Sequence, residues 1–459
     1  MQQAVNIADF QGKRVHFIGI GGVSMSGLAE ILLHDGYTIT GSDAHDSPLV
    51  AHLQQLGIVC QIGHTPELIE RADLVVYTAA IHPDNPEFQY AAEHGLSMMD
   101  RATLLGEIMA RFPVGIGISG THGKTSCTSM LATLMEKAGL DPTIHLGGTL
   151  PLIGGSVKDG NGPVFITEAC EYVESFLKLY PTIAVILNID ADHLDYFRDI
   201  DHIQSAFAAF LDRLPADGVA IGNGEDPRVM AVMRACGRRF VTFGLAEGMD
   251  YTARQVTFDE MGRACFSVCV RGEDIGRVTL SVPGRHHIYN ALAALAAAAQ
   301  AGLSPQEALP YLTDYMPPRR RFEKAGERDG VTIYHDYAHH PTEVRAQLAA
   351  ASLLPHHKLW CVFQPHTYSR TLKLFEPLTA CFADADEVLL TDIYAAREDN
   401  QGTICSKQVA DAITNTQAQY MDSFAAAADY LKAHWHSGDI VVTMGAGDIE
   451  GFSRLLLKD

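Results

Sequence analysis

A glycine-rich segment near residue 120 holds the side chains best suited to chemistry, namely Gly120, Thr121, His122, Gly123, Lys124, Thr125 and Ser126. An apolar stretch precedes it and an apolar-periodic stretch follows, which predicts a strand before the segment and a helix after it. Such a turn directs backbone N–H groups and a helix N-terminus at an anion, and Lys124 adds a positive charge. Thr125 supplies a hydroxyl suited to Mg²⁺. The segment therefore predicts a binding site for ATP with Mg²⁺, or with Mn²⁺ in its place.

The segment departs from the full phosphate-loop pattern G-x-x-x-x-G-K-[ST]. The first glycine of that pattern would stand at position 118, where this chain has Ile118. We therefore interpret the segment as a shortened phosphate loop, supported by the strand and helix predicted on either side of it.

Composition limits the classes of protein to consider. The 459 residues suffice for two to four domains, and the net charge of −21 argues against a broad nucleic-acid or membrane-binding surface. The nine cysteines are scattered without a C-x-x-C pair, which is typical of a reducing compartment. We find neither a signal peptide nor an apolar run long enough for a membrane span, and expect a cytoplasmic protein.

Strands and helices alternate along most of the chain, which predicts α/β domains with parallel, doubly wound sheets. Prolines break the pattern near residues 113 and 317, so we predict domains at 1–112, 113–316 and 317–459. Residues 251–282 instead show the pattern of alternating short strands. In the last domain, strands are predicted at 332–334, 359–363, 387–392 and 440–444.

The first domain opens with a strand followed by a glycine cluster at residues 19–27, and Asp43 follows the next strand. This arrangement is partly that of a dinucleotide-binding turn, which makes a nicotinamide-dependent dehydrogenase one interpretation. The third glycine position is occupied by Ser24, however. Because the glycines serve any diphosphate that approaches the backbone closely, a UDP-sugar fits equally well.

Polar residues follow other predicted strands, at the sheet edge where α/β proteins bind ligands. Glu168 ends one apolar strand and His193 follows the next, and both are candidate metal ligands. A later cluster, Asp336-Tyr337-Ala338-His339-His340, could indicate zinc, but no second ligand cluster follows it. Arg370 lies after another strand and suits recognition of a carboxylate.

Taken together, these stretches resemble the Mur ligase family, the ATP-dependent amide-forming enzymes of peptidoglycan precursor synthesis. The motifs that carry the resemblance span the chain: GIGGVSMSGLAE, SGTHGKTS, ITEACEY, NIDADHLDYF, PGRHHIYNALAA, RRRFE, HDYAHHPTEV, FQPHTYSRT and VVTMGAGDI. The resemblance implies a Rossmann-like N-terminal domain, a central P-loop-type ATPase domain and a Rossmann-like C-terminal domain. It also implies a mechanism in which ATP converts a carboxylate to an acyl phosphate that an amine then attacks.

The resemblance assigns roles to residues at matching positions. ATP would bind the loop residues 120–126 together with Asn290, Arg321 and Asp336. The catalytic residues would be Lys124, Glu168, His193, Arg321 and Asp336, and the metal ligands Thr125, Glu168 and His193. The UDP-substrate would bind Gly21, Gly22, Ser24, Asp43, Thr78 and Arg101. The amino acid would bind Tyr337, His339, His366 and Arg370. The chain departs from the family pattern at Cys170, His287 and Thr367.

Within the family, the motifs are most similar to those of the members that add L-alanine to UDP-N-acetylmuramic acid. No lysine lies between His193 and Pro215, where other members carry a carbamylated lysine, and the Asp-Asn-Pro-Arg motif of the diaminopimelate-adding members is missing. The nearest alternative is the recycling ligase that attaches an intact tripeptide to the same UDP-substrate. We expect a monomer or a weak homodimer, and a closure of the three domains around the substrates.

Overall fold

The computed structural model describes residues 5–78, 81–396, 398–400 and 402–458. Its strands form three separate sheets of five, ten and six strands, each flanked by helices. The predicted α/β class is therefore confirmed. Strands of the three sheets lie within residues 14–100, 114–283 and 323–444, respectively. Among the described residues, no helix is both long enough and apolar enough to cross a membrane.

The first sheet is entirely parallel, with strand order β3-β2-β1-β4-β5. After a short 3₁₀ helix (Ile7–Phe10), its elements are β1 (Arg14–Ile18), α1 (Val23–His34), β2 (Thr38–Asp43), α2 (Pro48–Gln55), β3 (Val59–Ile62), α3 (Pro66–Ile69), β4 (Leu74–Tyr77), α4 (Pro86–Glu93), β5 (Ser97–Asp100) and α5 (Arg101–Met109). Asp100 caps α5 by accepting hydrogen bonds from the backbone N–H groups of Ala102 and Thr103. The strand order changes direction at β1, and the glycine-rich turn that follows β1 therefore lies at the ligand-binding edge.

The second sheet has the order β15-β14-β13-β12-β11-β10-β6-β9-β7-β8. Its elements are β6 (Val114–Ser119), α6 (Lys124–Lys137), β7 (Thr143–Leu150), β8 (Gly155–Lys158), β9 (Val164–Glu168), β10 (Ile183–Ile186), α7 (Ile200–Leu211), β11 (Val219–Asn223), α8 (Pro227–Ala235), β12 (Arg239–Gly244), β13 (Tyr251–Phe258), β14 (Arg263–Val270), β15 (Glu273–Pro283), α9 (His286–Gln300) and α10 (Pro305–Ala308). Short 3₁₀ helices occupy Pro151–Ile153, Tyr172–Lys178 and Leu309–Asp314. Short strands were predicted for residues 251–282, and β13, β14 and β15 lie there and pair antiparallel.

The buried middle of this sheet explains the position of the phosphate loop. Strand β6 lies between β10 and β9, and its residues from Gly115 to Ser119 are buried. Helix α6 packs against the alanine-rich helix α9, whose small side chains allow a close approach. The turn between β6 and α6 is therefore held by packing on both sides.

The third sheet has the order β16-β17-β21-β18-β19-β20 and is parallel except for the β16–β17 pair. Its elements are β16 (Glu323–Arg328), β17 (Val331–Asp336), α11 (Pro341–Ala351), β18 (Leu359–Phe363), α12 (Tyr368–Lys373), α13 (Phe375–Thr379), β19 (Glu387–Leu390), α14 (Ser406–Ala412), β20 (Gln417–Tyr420), α15 (Phe424–His434), β21 (Ile440–Met444) and α16 (Glu450–Leu457). The four strands predicted in this region are all present, although β19 ends two residues earlier than predicted.

The first and second sheets are joined by close packing of backbone and small residues. Helix α1 lies against β7 and β8, and a Cβ atom at Gly27 of α1 would overlap the side chain of Val157. A Cβ at Gly106 of α5 would likewise overlap the backbone oxygen of Lys178. Glycine is required at both positions because only its lack of a side chain permits this approach.

Candidate functional site

The phosphate loop connects β6 to α6 through two glycines with left-handed backbone angles. Gly120 has a φ of +134° and Gly123, the N-cap of α6, a φ of +87°. A Cβ at Gly123 would lie 2.9 Å from Oδ1 of Asn290, so the loop lies against another residue predicted to bind ATP. The first-turn N–H groups of α6 therefore open onto a cavity, as anion binding at a helix N-terminus requires.

Lys124 lies at the start of α6, and four oxygen atoms surround its ammonium group. Its Nζ donates hydrogen bonds to the backbone oxygens of Gly120 (2.6 Å) and Thr121 (3.1 Å) and to both carboxylate oxygens of Glu171, at 3.0 and 2.7 Å. Burial alone would lower the pKa of Lys124, but the charge of Glu171 outweighs it and raises the pKa. The ammonium group is thus charged and held at the loop.

The candidate metal ligands meet beside Lys124. The Thr125 hydroxyl donates to Oε2 of Glu168 at 3.1 Å, and the backbone N–H of Gly147 donates to Oε1 at 2.7 Å. Nε2 of His193 lies 3.8 Å from Oε1 of Glu171, the same carboxylate that accepts hydrogen bonds from Lys124. A hydroxyl and carboxylates are hard oxygen ligands of the kind that Mg²⁺ prefers, so the donor set fits this ion.

A cavity of about 400 Å³ extends from the loop to the third sheet. Its lining includes six of the residues predicted to bind ATP: His122, Gly123, Ser126, Asn290, Arg321 and Asp336. His287, one of the departures from the family pattern, also lines it. The cavity is thus bounded by two domains, and its volume is in the range typical of small-molecule sites.

Residues from the third domain reach the phosphate loop directly. Nη2 of Arg321 donates to the Thr125 hydroxyl at 3.3 Å. Asp336 accepts a hydrogen bond at 2.7 Å from the backbone N–H of Phe322, the residue after Arg321. Burial raises the pKa of Asp336 to about 6, although Arg321 opposes this shift. Arg321 and Asp336 therefore lie beside the loop at which ATP is predicted to bind.

His122 of the phosphate loop joins the second and third domains. Its Nε2 lies 3.2 Å from Oδ2 of Asp190, and its Nδ1 lies 3.3 Å from Oε1 of Glu343 at the start of α11. Burial opposes protonation of His122, but these two carboxylates outweigh it and raise its pKa to about 9. Thr342 donates a further hydrogen bond to Asp190 at 2.7 Å. The third domain is therefore docked onto the loop by a protonated histidine.

A second cavity, also of about 400 Å³, lies at the edge of the first sheet. Its lining includes five of the six residues predicted to bind the UDP-substrate: Gly22, Ser24, Asp43, Thr78 and Arg101. The sixth, Gly21, donates its backbone N–H to Oδ2 of Asp43 at 2.9 Å. A Cβ at Gly21 would crowd that carboxylate, which explains why glycine is needed there.

The residues predicted to bind the amino acid cluster at the domain interface. His339, His366 and Arg370 line one small cavity, and the ring of Tyr337 lies 5.4 Å from that of His339. Arg370 already has two partners: its Nε donates to Asp192 at 2.9 Å and its Nη1 to Nδ1 of His366 at 2.9 Å. Asp192 is the neighbour of His193, so the amino-acid cluster adjoins the candidate metal ligands.

Three family models match this chain in succession. They are described as "Mur ligase family, catalytic domain" over residues 14–113, "Mur ligase middle domain" over 118–298 and "Mur ligase, glutamate ligase domain" over 320–447. The chain belongs to the Mur ligase family. The family model that matches the residues of the first sheet is that of a Mur ligase, so the dehydrogenase interpretation of the glycine cluster at residues 19–27 is wrong.

Individual relatives of this Mur ligase match over almost their whole length. The UDP-N-acetylmuramate–L-alanine ligase of Caldanaerobacter subterraneus subsp. tengcongensis is 48% identical over 97% of this chain and 98% of its own. The enzyme of the same name from Alkaliphilus metalliredigens is 47% identical over 99% of both chains.

Solved structures show the same three-domain architecture. The crystal structure of UDP-N-acetylmuramate–alanine ligase from Thermotoga maritima superposes with a TM-score of 0.81 at 26% identity, over 97% of this chain and 98% of that one. A murein peptide ligase from Psychrobacter arcticus superposes with a TM-score of 0.71 at 26% identity, over the same fractions.

Several polar residues of the Mur ligase site were not predicted from the sequence. Glu171 holds Lys124, and Asp190 and Glu343 hold His122. His145 connects the UDP-substrate cavity with the strand that ends at Glu168. Glu171, Asp190 and Glu343 lie in the quoted motifs ITEACEY, NIDADHLDYF and HDYAHHPTEV, whereas His145 lies in none of them. The motifs mark these positions, but which side chain each one contacts depends on how distant segments fold together.

Proposed function

We propose that this Mur ligase joins L-alanine to the lactyl carboxylate of UDP-N-acetylmuramic acid, using ATP and Mg²⁺. The observation that carries this proposal is the near full-length similarity, at 45–48% identity, to ligases of that name. The geometry supports it, since a glycine-rich loop with Lys124, the carboxylates of Glu168 and Glu171 beside it, and a cavity of about 400 Å³ at the first sheet lie in adjoining domains.

In the first step, an oxygen of the lactyl carboxylate attacks the γ-phosphorus of ATP, and the bond to the β-phosphate oxygen breaks to release ADP. The charge that develops on the transferred phosphoryl group requires fixed positive partners. Lys124 and Arg321 meet this requirement, as both side chains end at the loop. Mg²⁺ held by Thr125 and Glu168, with His193 nearby, would neutralise further phosphate charge.

In the second step, the amine of L-alanine attacks the acyl carbon, the bond from that carbon to the phosphate oxygen breaks, and the departing phosphate takes up the proton that the amine loses. Burial lowers the pKa values of His339 and His366 to about 4, so both rings are neutral at pH 7. Nδ1 of His339 faces the backbone oxygen of Tyr337 at 3.0 Å and therefore carries the hydrogen. Nε2 of His339 is left with a lone pair that can accept a hydrogen bond from the amine.

The lining of the amino-acid cavity combines polar residues with apolar side chains. Besides the polar residues, it is lined by apolar side chains, including Phe363, Leu374 and Leu378. These suit a methyl group, while Arg370 has one terminal nitrogen, Nη2, to offer to the substrate carboxylate. The cavity measures only about 10 Å³ in this structure, so it must widen before it holds either L-alanine or a tripeptide.

A coupled assay of ADP release tests the proposal. The purified protein is supplied with UDP-N-acetylmuramic acid, Mg·ATP and, in separate reactions, L-alanine, glycine, L-serine or the tripeptide. We expect ADP release and the corresponding amide, identified by mass, with L-alanine. Release with the tripeptide alone would assign the recycling activity instead, and no release with any acceptor would refute the ligase proposal.

A further inference from the structure

A line of four side chains connects the UDP-substrate cavity to the candidate metal site. Nη1 of Arg101 donates to the Ser24 hydroxyl at 3.0 Å, and that hydroxyl lies 2.8 Å from Nε2 of His145. On the other side of the ring, Nδ1 lies 3.1 Å from the hydroxyl of Thr167, the residue before Glu168. His145 and Thr167 are buried, so their hydrogen-bond partners are confined to this line.

One proton order of the line follows when the Thr167 hydroxyl donates to the backbone of Glu168. The Thr167 hydroxyl donates to the backbone oxygen of Glu168 at 3.2 Å, so it must accept from an N–H at Nδ1 of His145. Burial and the neighbouring Arg101 lower the pKa of His145 to about 3, so the ring carries only that one hydrogen. Nε2 then accepts from Ser24, whose single proton is used up by this bond.

The opposite proton order keeps the three side-chain contacts of the line and gives up only the hydrogen bond from the Thr167 hydroxyl to the backbone oxygen of Glu168. If the Thr167 hydroxyl donates to Nδ1, His145 carries its hydrogen at Nε2 and donates to Ser24. The Ser24 oxygen accepts from both Arg101 and His145, and its own proton is free to bind a phosphate oxygen. Only this second order lets Ser24 donate to the diphosphate of the UDP-substrate.

We propose that His145 is a positioning residue that links diphosphate binding in the first domain to metal–nucleotide binding at Glu168. The proposal rests on the proposed function, from which the two ligands are taken. The second order shifts every proton of the line toward the diphosphate and away from Glu168. An anion at the Ser24 end and a cation at the Glu168 end therefore both favour it, and each ligand strengthens binding of the other.

Calorimetric titration of the intact protein tests the link. The affinity for UDP-N-acetylmuramic acid is measured alone and with saturating Mg·AMP-PNP, which cannot be turned over. For the wild-type protein we expect Mg·AMP-PNP to tighten this affinity by about fivefold or more. Because linkage is reciprocal, the UDP-substrate must tighten Mg·AMP-PNP by the same factor.

Substitutions at either side of the ring should abolish the link without abolishing binding. Thr167→Val keeps the shape of the buried side chain but breaks the line. Mg·AMP-PNP should then tighten binding of the UDP-substrate by less than about twofold. Thr167→Ser retains the hydroxyl and should restore the wild-type factor. His145→Asn retains an amide near Nδ1 but cannot reach Ser24, so it should also remove the link. Thermal unfolding of each variant verifies that it is folded.

The outcomes separate this proposal from the proposed function. The link is overturned if Mg·AMP-PNP leaves the wild-type affinity for UDP-N-acetylmuramic acid unchanged. It is also overturned if Mg·AMP-PNP tightens that affinity in both Thr167→Val and His145→Asn as much as in the wild-type protein. A wild-type protein that does not bind UDP-N-acetylmuramic acid at all would refute the proposed function itself.

Discussion

Replacement of Glu171 by glutamine should destabilise the protein without nucleotide and increase its response to nucleotide. Glu171 is 2% exposed and accepts two hydrogen bonds from Lys124, at 3.0 and 2.7 Å. Removing one charge from a buried pair costs about 3–5 kcal/mol, because the remaining charge loses its partner. Glutamine retains one hydrogen-bond acceptor, so we expect a loss of about 3 kcal/mol.

This loss is measurable by thermal unfolding. A domain of the size of the central one loses about 2–4 °C in Tm per kcal/mol, so the Tm of Glu171→Gln should fall by about 6–12 °C. Saturating Mg·AMP-PNP supplies phosphate oxygens to Lys124 in place of the carboxylate. It should therefore raise the Tm of the variant by several degrees more than that of the wild-type protein.

Glu174→Gln is the matched control, since Glu174 lies on the same short segment but its contacts are partly exposed: the Tyr196 hydroxyl at 3.2 Å and Nε2 of His202 at 3.8 Å. Its Tm should change by no more than is typical of surface substitutions. An unchanged Tm for Glu171→Gln without nucleotide, or an equal nucleotide response in both proteins, would refute the reasoning about Lys124.

Three further outcomes are expected. Lys124→Met should lower ADP release by about 10²–10³-fold, the usual effect of removing one transition-state donor, while Lys137→Met at the exposed end of the same helix should leave it unchanged. The ion pairs of His122, whose pKa rises from 6.5 to about 9, contribute fully below pH 6.5 and are lost as the pH rises through 9. Small-angle scattering should therefore show looser domain docking above pH 9, and a radius of gyration independent of pH would contradict this. Gly27→Ala should destabilise the protein by about 1–3 kcal/mol in thermal unfolding because its Cβ overlaps Val157, whereas Gly451→Ala, with open space around it, should not.

The parts of the site that were predicted from sequence are those formed by short segments. The phosphate loop needs only a strand, two glycines and a helix within residues 114–137, and each leaves its own pattern in the sequence. The strands of the third domain were predicted for the same reason, apart from β16 and β20 at its two edges. Both are short and polar, Glu323–Arg328 and Gln417–Tyr420, so no apolar pattern marks them.

The sequence by itself determined the α/β class, the phosphate loop and the identity of the chemically competent side chains, because these depend on neighbours a few positions apart. The pairing of those side chains was decided by the tertiary structure. His122 meets Glu343 from 221 positions away, and Ser24 meets His145 from 121. Such contacts arise only when three sheets pack their ligand-binding edges together, and no local pattern records which buried polar group will satisfy another.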